Sequence, residues 1–219
     1  MTNRTSELRN PHPAPYAGTV SAEPIADMPR PWQPDPVRQR LANYTLEDLL
    51  QLPADAPRVE LVDGVFHVVP SPTLGHQDIA SLLWRWLHTH SPDHLRPAQT
   101  VGVAMGANST REPDVLLRRA DIALDRSFLL PHEVVLAVEI VSPGTRRTDR
   151  FTKPAEYAAE GIPFYWRVEQ DPVRVHAYRL ADRPGRSGNR EYELIAESAD
   201  LLELDQPFPI KLPIAEITP

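Results

Sequence analysis

The sequence contains no cysteine and very little lysine. The absence of Cys excludes disulfide bonds, thiolate zinc sites and cysteine nucleophiles in a chain of 219 residues. No apolar run approaches the roughly 20 residues that cross a bilayer, and the first thirty residues contain no apolar segment of the signal-peptide type, so we expect a soluble, cytoplasmic protein. Only two of the 23 basic residues are lysines, Lys153 and Lys211. Arg supplies the positive charge everywhere else. The composition therefore indicates that Lys153 has a specific role that requires a compact ammonium.

Positive charge is also scarce overall, since the formal net charge is -7. Proteins that bind nucleic acid usually have a basic surface, so the negative net charge argues against a nucleic-acid partner. A metal site that concentrates carboxylates can nevertheless make a chain acidic, while a local basic stretch still attracts phosphate. The local patterns must therefore decide between these interpretations.

Proline is concentrated at the amino end of the chain. Residues 1–40 hold eight prolines among scattered polar residues and show no hydrophobic period, which predicts an extended or disordered arm. The hydrophobic content of 41% is enough for a sizeable core. We therefore expect one folded domain over residues 41–219, without internal repeats.

The remaining sequence mixes strand and helix patterns. A capping box at Thr45 opens a short helix, and Asp63-Gly64 joins two strand-like runs as a tight hairpin. Apolar residues at helical spacing predict a helix over 75–90, and a second helix ends at Gly161. Strands are predicted over 58–62, 65–69, 99–105, 114–117, 133–141, 164–168, 173–178 and 192–196. The order predicts an α/β fold: a mixed central β-sheet flanked by helices, with an N-terminal β-hairpin and a C-terminal β extension.

Two acidic residues occupy strand positions where a carboxylate is costly. Asp114 opens one predicted strand, and Glu139 lies inside the most apolar strand of the chain. A buried carboxylate normally has a cation, a metal or a proton to neutralise it, although Glu139 could also reach solvent or an Arg at the strand end. On neighbouring strands the two carboxylates would offer hard oxygen ligands to Mg²⁺ and leave positions open for water and phosphate. This layout predicts metal-assisted phosphodiester hydrolysis.

A local basic stretch follows Glu139. Arg146, Arg147, Arg150 and Lys153 lie close together in the sequence and could hold a phosphate backbone. The alternative is a solvated turn whose charges pair with nearby carboxylates. Both interpretations stay open at the level of the sequence.

The motifs, taken in order, resemble those of a known nuclease family. They are Glu60-Leu61-Val62-Asp63-Gly64, Gly75-His76-Gln77, Pro113-Asp114, Glu139-Ile140-Val141-Ser142-Pro143, the trio Asp149, Lys153 and Tyr157, and Gly161-Ile162-Pro163-Phe164-Tyr165-Trp166. The pattern over about residues 43–180 is similar to that of the restriction-endonuclease-like proteins of the bacterial Uma family, within the PD-(D/E)XK nuclease superfamily. The resemblance implies a restriction-endonuclease-like core, Mg²⁺ (or Mn²⁺) as cofactor, and Asp114 and Glu139 as metal ligands.

The lysine departs from the superfamily pattern. In that pattern it lies two residues after the acidic residue, where this chain has Val141. The resemblance implies that the next helix supplies it as Lys153, which would position or activate the attacking water. Asp149, Lys153 and Tyr157 recur every fourth residue and so share one helical face. Pro154 disfavours helical geometry at the residue before it, so either the helix begins at Pro154 or Pro154 occupies an early turn, and an ordinary exposed lysine remains the alternative.

The resemblance adds further residues around this centre. It implies a catalytic role for Glu60 beside the two carboxylates and the lysine, against the alternative of a solvent-facing hairpin residue. It implies substrate contacts for His76, at the start of a helix, and for Tyr157, beside those that the charge pattern indicates for Arg146, Arg147 and Arg150. A lone His is, however, more often a cap or a surface group.

Three functions fit the sequence. The first is a metal-dependent endonuclease that hydrolyses DNA phosphodiester bonds. The second is a nuclease fold without catalysis, used for nucleic-acid binding or protein assembly. The third is a metallohydrolase for a small phosphorylated substrate, which would suit the acidic surface. We expect DNA as the partner and no membrane association, and because nucleases that cut both strands often pair by twofold symmetry, we also expect a homodimer.

Overall fold

A computed structural model describes residues 32–185 and 188–219 of the chain. Residues 1–31 of the predicted arm and part of the predicted loop around residues 185–189 lie outside the described residues. The described elements follow one another as two short helices, a hairpin, a long helix, and then a series of strands interrupted by one further α-helix. Within the described chain no helix has the length and apolar character needed to span a membrane.

The helices and strands have the following bounds. The α-helices are α1 (Pro36–Leu41), α2 (Leu46–Leu50), α3 (Leu74–His90) and α4 (Lys153–Ala159). The strands are β1 (Val59–Val62), β2 (Val65–Val68), β3 (Leu95–Ala98), β4 (Gly102–Ala104), β5 (Thr110–Arg111), β6 (Val115–Arg119), β7 (Phe128–Leu129), β8 (Val134–Ile140), β9 (Phe164–Gln170), β10 (Val173–Leu180), β11 (Tyr192–Ser198), β12 (Leu201–Leu204) and β13 (Ile210–Pro213). A π-helical turn, Thr148–Thr152, runs directly into α4.

The central sheet has six strands in the order β11-β10-β9-β8-β6-β3. β8 and β9 are parallel, and the other neighbouring pairs are antiparallel. β8 lies in the interior of the sheet, and every residue of it except Val135 is buried, which explains its long aliphatic run. The structure therefore confirms a mixed sheet flanked by helices, with a hairpin before it and a β extension after it.

The two faces of the sheet are covered by different helices. On one face Leu83 and Leu87 of α3 belong to the same buried cluster as Leu136 of β8. On the other face Tyr157 of α4 packs in a cluster with Ala137 of β8. Since side chains alternate along a strand, Glu139 points to the side of Ala137, toward α4.

The C-terminal end of the predicted arm is wrong over residues 36–40, where the structure has helix α1. Asp35 caps this helix, accepting a hydrogen bond from Val37 N at 2.7 Å, and Pro36 at its start suits a helical φ. The Gln39 side-chain amide then donates to Phe66 O at 2.6 Å and accepts from Phe66 N at 3.1 Å. These bonds cover the free edge of the hairpin strand β2, so the folded unit begins before residue 41.

The strand predicted over 99–105 starts too early and is shorter in the structure. Only β4 (Gly102–Ala104) lies in that range, and the preceding strand β3 (Leu95–Ala98) belongs to a different sheet. Between them Thr100 has φ 52°, a left-handed conformation that turns the chain. A β-branched residue rarely adopts this conformation, so the sequence indicates a continuous strand where the structure has a break.

Candidate active site

Glu139 is a fully buried carboxylate with two hydrogen-bond donors. It is only 1% exposed, although it lies among aliphatic neighbours in the middle of the sheet. Lys153 Nζ donates to its Oε2 at 2.8 Å, and Tyr157 Oη donates to its Oε1 at 2.6 Å. Burial raises the pKa of Glu139 to about 8, and the attraction of Lys153 opposes this rise without cancelling it. The carboxylate therefore has less positive charge around it than its full ionisation requires.

Asp114 lies directly across from Glu139. Val115 pairs with Val138 in the antiparallel register of β6 and β8, so the preceding Asp114 is opposite Glu139 on the same face of the sheet. Asp114 Oδ2 accepts a hydrogen bond from Ile140 N at 2.7 Å and lies 3.1 Å from His76 Nε2. The backbone and a helix thus fix the second carboxylate beside the first.

Lys153 reaches this pair from the first residue of α4. The preceding π-helical turn keeps Lys153 in helical geometry, with Pro154 as the next residue. Its side chain is buried, with Glu139 at 2.8 Å, Asp149 Oδ1 at 3.5 Å and Glu60 Oε1 at 3.8 Å from Nζ. Burial alone would lower the pKa of Lys153, but the three carboxylates outweigh it, so its pKa is raised. The residue is a permanently charged donor inside the site.

Glu60 enters the site from the hairpin. As the alternation predicts, Val59 and Leu61 face the hairpin core while Glu60 faces the other side. Its side chain is only 12% exposed, and its Oε2 accepts a hydrogen bond from Arg111 Nη1 at 3.1 Å. Glu60 is therefore a largely buried residue beside Lys153 and not a solvent-facing hairpin residue.

These side chains line a cavity of about 310 Å³. Its walls are the loop of residues 70–73 before α3 and the loop of residues 142–145 after β8. The charged lining residues are Arg58, Glu60, Glu112, Asp114, Glu139, Asp149 and Lys153, with His76 beside them. Arg58 pairs with Glu112 at 3.1 Å, which leaves four carboxylates and Lys153 among the charged lining residues. The cavity has an excess of negative charge.

The structure separates the other predicted substrate residues. Arg146 and Arg147 are exposed and directly follow the loop that forms one wall of the cavity. Arg150 binds Glu169, with Nη2 2.9 Å from Oε2, and does not line the cavity. Tyr157 is fully buried, so it lies beneath the cavity and meets Glu139 instead of the surface. His76 lines the cavity and contacts Asp114.

Three residues of the site were missed among the sequence candidates. Asp149 is 2% exposed and lines the cavity; its spacing of four from Lys153 was a usable signal. Arg111 and Glu156 form a partly buried ion pair beside Glu60, with Arg111 Nε donating to Glu156 Oε2 at 2.5 Å. Nothing in the local sequence indicates this pair, because its members lie 45 positions apart.

The donor set fits a divalent cation. Among residues 32–185 and 188–219, no three His, Asp or Glu side chains form a ready-made metal cluster. Asp114 and Glu139 nevertheless supply facing carboxylate oxygens, which are hard ligands with lone pairs beyond those already used. The excess of carboxylates over cations and the raised pKa of Glu139 both indicate that one more positive charge would be favourable here. Mg²⁺ usually keeps several waters and takes only one or two protein carboxylates.

Comparisons with known proteins agree with the fold. A family model described as "Uma2: Putative restriction endonuclease" matches residues 46–215. A crystal structure of a protein from Anabaena variabilis ATCC 29413, described as a "putative nuclease belonging to DUF820", is similar with a TM-score of 0.59 and 20% sequence identity. The match covers 79% of this chain and 96% of that chain. At this identity the likeness shows a shared fold alone. The search of curated proteins gave no match.

Proposed function

Because this chain belongs to the Uma2 family of restriction-endonuclease-like proteins, we propose that it is a metal-dependent endonuclease that hydrolyses phosphodiester bonds of DNA. In this proposal Asp114 and Glu139 bind Mg²⁺ or Mn²⁺, and Lys153 positions the attacking water. Glu60 supports Lys153 from the hairpin. The proposal is the first of the three functions that fit the sequence.

One observation carries the proposal: a buried lysine donates to Glu139 at 2.8 Å directly across the sheet from Asp114. An inert scaffold gains little from this arrangement, because burying several like charges beside one ammonium is costly unless a further cation joins them. A site for cleaving phosphodiesters needs these groups, since it requires metal ligands and a donor for water or phosphate in one small cavity.

A bound divalent ion would polarise the phosphoryl oxygen and lower the pKa of a coordinated water. Lys153 does not take the proton of that water, because its raised pKa keeps the ammonium charged. One of its three protons is held by Glu139. The remaining protons can hold the attacking water or a phosphate oxygen as charge develops there.

The surrounding residues hold this arrangement in place. Tyr157 donates to the second oxygen of Glu139 and so fixes its carboxylate plane. His76 donates to Asp114, because an ionised carboxylate can only accept. Arg146 and Arg147 lie beside the cavity wall without a described ion pair, which suits contact with the phosphate backbone outside the acidic cavity.

A plasmid-nicking assay tests the proposal. The wild-type protein should convert supercoiled DNA to open-circle or linear form with Mg²⁺ or Mn²⁺, and EDTA should abolish the conversion. Glu203→Gln is a matched control, since Glu203 is an exposed strand residue far from the cavity that pairs with Lys211, and it should leave nicking unchanged. No nicking by the wild type, or nicking that resists EDTA, would contradict the proposal and favour a scaffold.

The substrate and the assembly need separate measurements. An excess of mononucleotides should compete weakly with duplex DNA if DNA is the substrate, and strongly if a small phosphorylated compound is.

We also propose that the protein forms a homodimer, because cleavage of both strands requires two sites. Sedimentation equilibrium should give twice the mass of 24.6 kDa, and a single-chain mass would contradict it.

A further inference from the structure

Arg111 is a buried arginine that links the hairpin to the site. It lies on β5 and is 6% exposed. Its guanidinium donates from Nε and Nη2 to the two oxygens of Glu156, at 2.5 and 2.7 Å, and from Nη1 to Glu60 Oε2 at 3.1 Å. Burial would lower the pKa of Arg111, but Glu156 and then Glu60 outweigh it, and its pKa is raised. A fixed positive charge therefore holds Glu60 from behind the cavity.

Glu60 divides its two oxygens between two cations. Oε2 accepts from Arg111, while Oε1 lies 3.8 Å from Lys153 Nζ. The distance to Lys153 is too long for a hydrogen bond, so Glu60 attracts the ammonium without binding it directly. Lys153 instead donates to Glu139 at 2.8 Å.

This division matters because Lys153 has several competing carboxylates. Glu139, Asp149 and Glu60 all lie within 4 Å of its Nζ. A carboxylate freed from its own partner in a buried, acidic cavity would move to the nearest cation. If Glu60 bound Lys153 directly, it would occupy a proton that the reaction needs and draw the ammonium toward the hairpin.

We propose that Arg111 is a positioning residue that holds Glu60 back from Lys153, so that the ammonium keeps a free proton directed into the cavity. This inference rests on the proposed function for its consequence in catalysis, but its geometric content stands apart from activity. It gives Glu60 a role in aligning the lysine and not in binding the metal. Arg111 touches neither substrate nor metal and acts through Glu60.

Steady-state nicking kinetics test the catalytic consequence. Arg111→Met should lower kcat by about 10- to 100-fold, the range expected when a reacting group is slightly misplaced, with KM for DNA and the Mn²⁺ affinity unchanged. Arg111→Lys keeps the charge but not the fork that holds both Glu60 and Glu156, so it should recover part of kcat. Arg179→Met is the matched control because Arg179 pairs with Glu193 on the surface and does not line the cavity, and it should behave as wild type.

The pairing of Arg111 with Glu60 makes a double-variant test decisive. If Arg111 acts through Glu60, then Arg111→Met should cost little once Glu60→Gln has removed the charge to be held back. Fully multiplicative losses in the double variant would overturn the proposal. So would a folded Arg111→Met or Arg111→Lys protein with wild-type kcat, and thermal melting identifies which variants are folded.

A spectroscopic readout separates this proposal from the proposed function. Lys153 and Lys211 are the only lysines, so lysine labelled with ¹³C at Cε gives two signals in a carbon–proton correlation spectrum. Arg111→Lys adds a lysine, so Arg111→Met and Glu60→Gln are compared here. We expect both variants to shift the Lys153 signal and to leave the Lys211 signal in place. An unmoved Lys153 signal in folded Arg111→Met would overturn the positioning role, whether or not the wild type cleaves DNA.

Discussion

The ammonium of Lys153 lies 2.8 Å from Oε2 of Glu139, although the two residues are 14 positions apart and belong to different elements. The residue two positions after Glu139 is Val141, which is 5% exposed and packs in the interior. A π-helical turn and the start of α4 bring the lysine back to β8. The positive charge therefore reaches Glu139 from the following helix and not from β8 itself.

Glu139→Gln should remove the affinity for Mn²⁺ while the fold is retained. The change is nearly isosteric and deletes the charge that would bind the ion. Isothermal titration calorimetry with Mn²⁺ measures it, and circular dichroism checks the fold. Glu203→Gln, the exposed control, should titrate as wild type, and an unchanged affinity in Glu139→Gln would exclude Glu139 as a ligand.

Without metal the protein should lose stability as the pH rises from about 4.5 to about 8. The pKa of Glu139 rises from its ordinary 4.5 to about 8 in the fold, so the folded state favours the protonated form. The protonated Glu139 therefore contributes on the order of a few kcal/mol to the free energy of unfolding. This contribution is fully present below the lower pKa and is lost as the pH rises through the higher one. Urea unfolding at several pH values in EDTA measures it. Glu139→Gln should show a smaller decline, and equal declines in both proteins would contradict the pKa assignment.

Residues 32–40 should contribute to the stability of the domain. Gln39 bonds both backbone groups of Phe66, and the ring of Trp32 meets that of Phe66 edge-on at 5.8 Å. A protein that begins at Leu41 should therefore melt several degrees below one that begins at Trp32, because an edge strand loses its cover. Differential scanning calorimetry at matched concentration compares the two. Equal melting temperatures would show that α1 is dispensable.

Arg146 and Arg147 should contribute to DNA affinity and not to the chemical step. Replacing both with Ala should weaken binding at all DNA sequences and lower the salt slope of log K by about 0.9 for each lost phosphate contact. Fluorescence anisotropy with a labelled duplex at several salt concentrations measures the slope. Arg179→Ala serves as a surface control. An unchanged slope in the double variant would exclude both arginines from the backbone contact.

Much of the fold could be predicted from local sequence signals. Asp63-Gly64 predicted the hairpin, and the aliphatic run around Glu139 predicted the buried strand, because both signals act within a few residues. The break at Thr100 could not be predicted, since its left-handed conformation is set by the two sheets that the chain must join. The same holds for the Gln39 contact with β2, which spans 27 positions.

In the candidate site too, some residues could be predicted from the sequence and others could not. Asp114, Glu139 and Lys153 could be found because each is unusual where it stands, as a carboxylate in an apolar strand or as one of two lysines. Arg111 carries no such mark, because it is one arginine among many and its partners Glu60 and Glu156 lie 51 and 45 positions away. Long-range pairing of charges depends on the folded geometry, so the alignment of Lys153 could be derived only from the structure.

The central claim is that Lys153 assists the chemical step, and the chain offers a matched control for it. Lys211 is the only other lysine and is exposed, with a side chain 80% accessible. The measurement is the rate of Mg²⁺-dependent plasmid nicking by wild type, Lys153→Met, Lys153→Arg and Lys211→Met, with Mn²⁺ affinity determined for each. We expect the nicking rate of Lys153→Met to fall 10²-fold or more, which corresponds to roughly 2.7 kcal/mol. Lys153→Arg should recover only part of the rate, because a guanidinium is broader than an ammonium. Lys211→Met should match the wild type. Equal nicking rates in all four proteins would contradict the account.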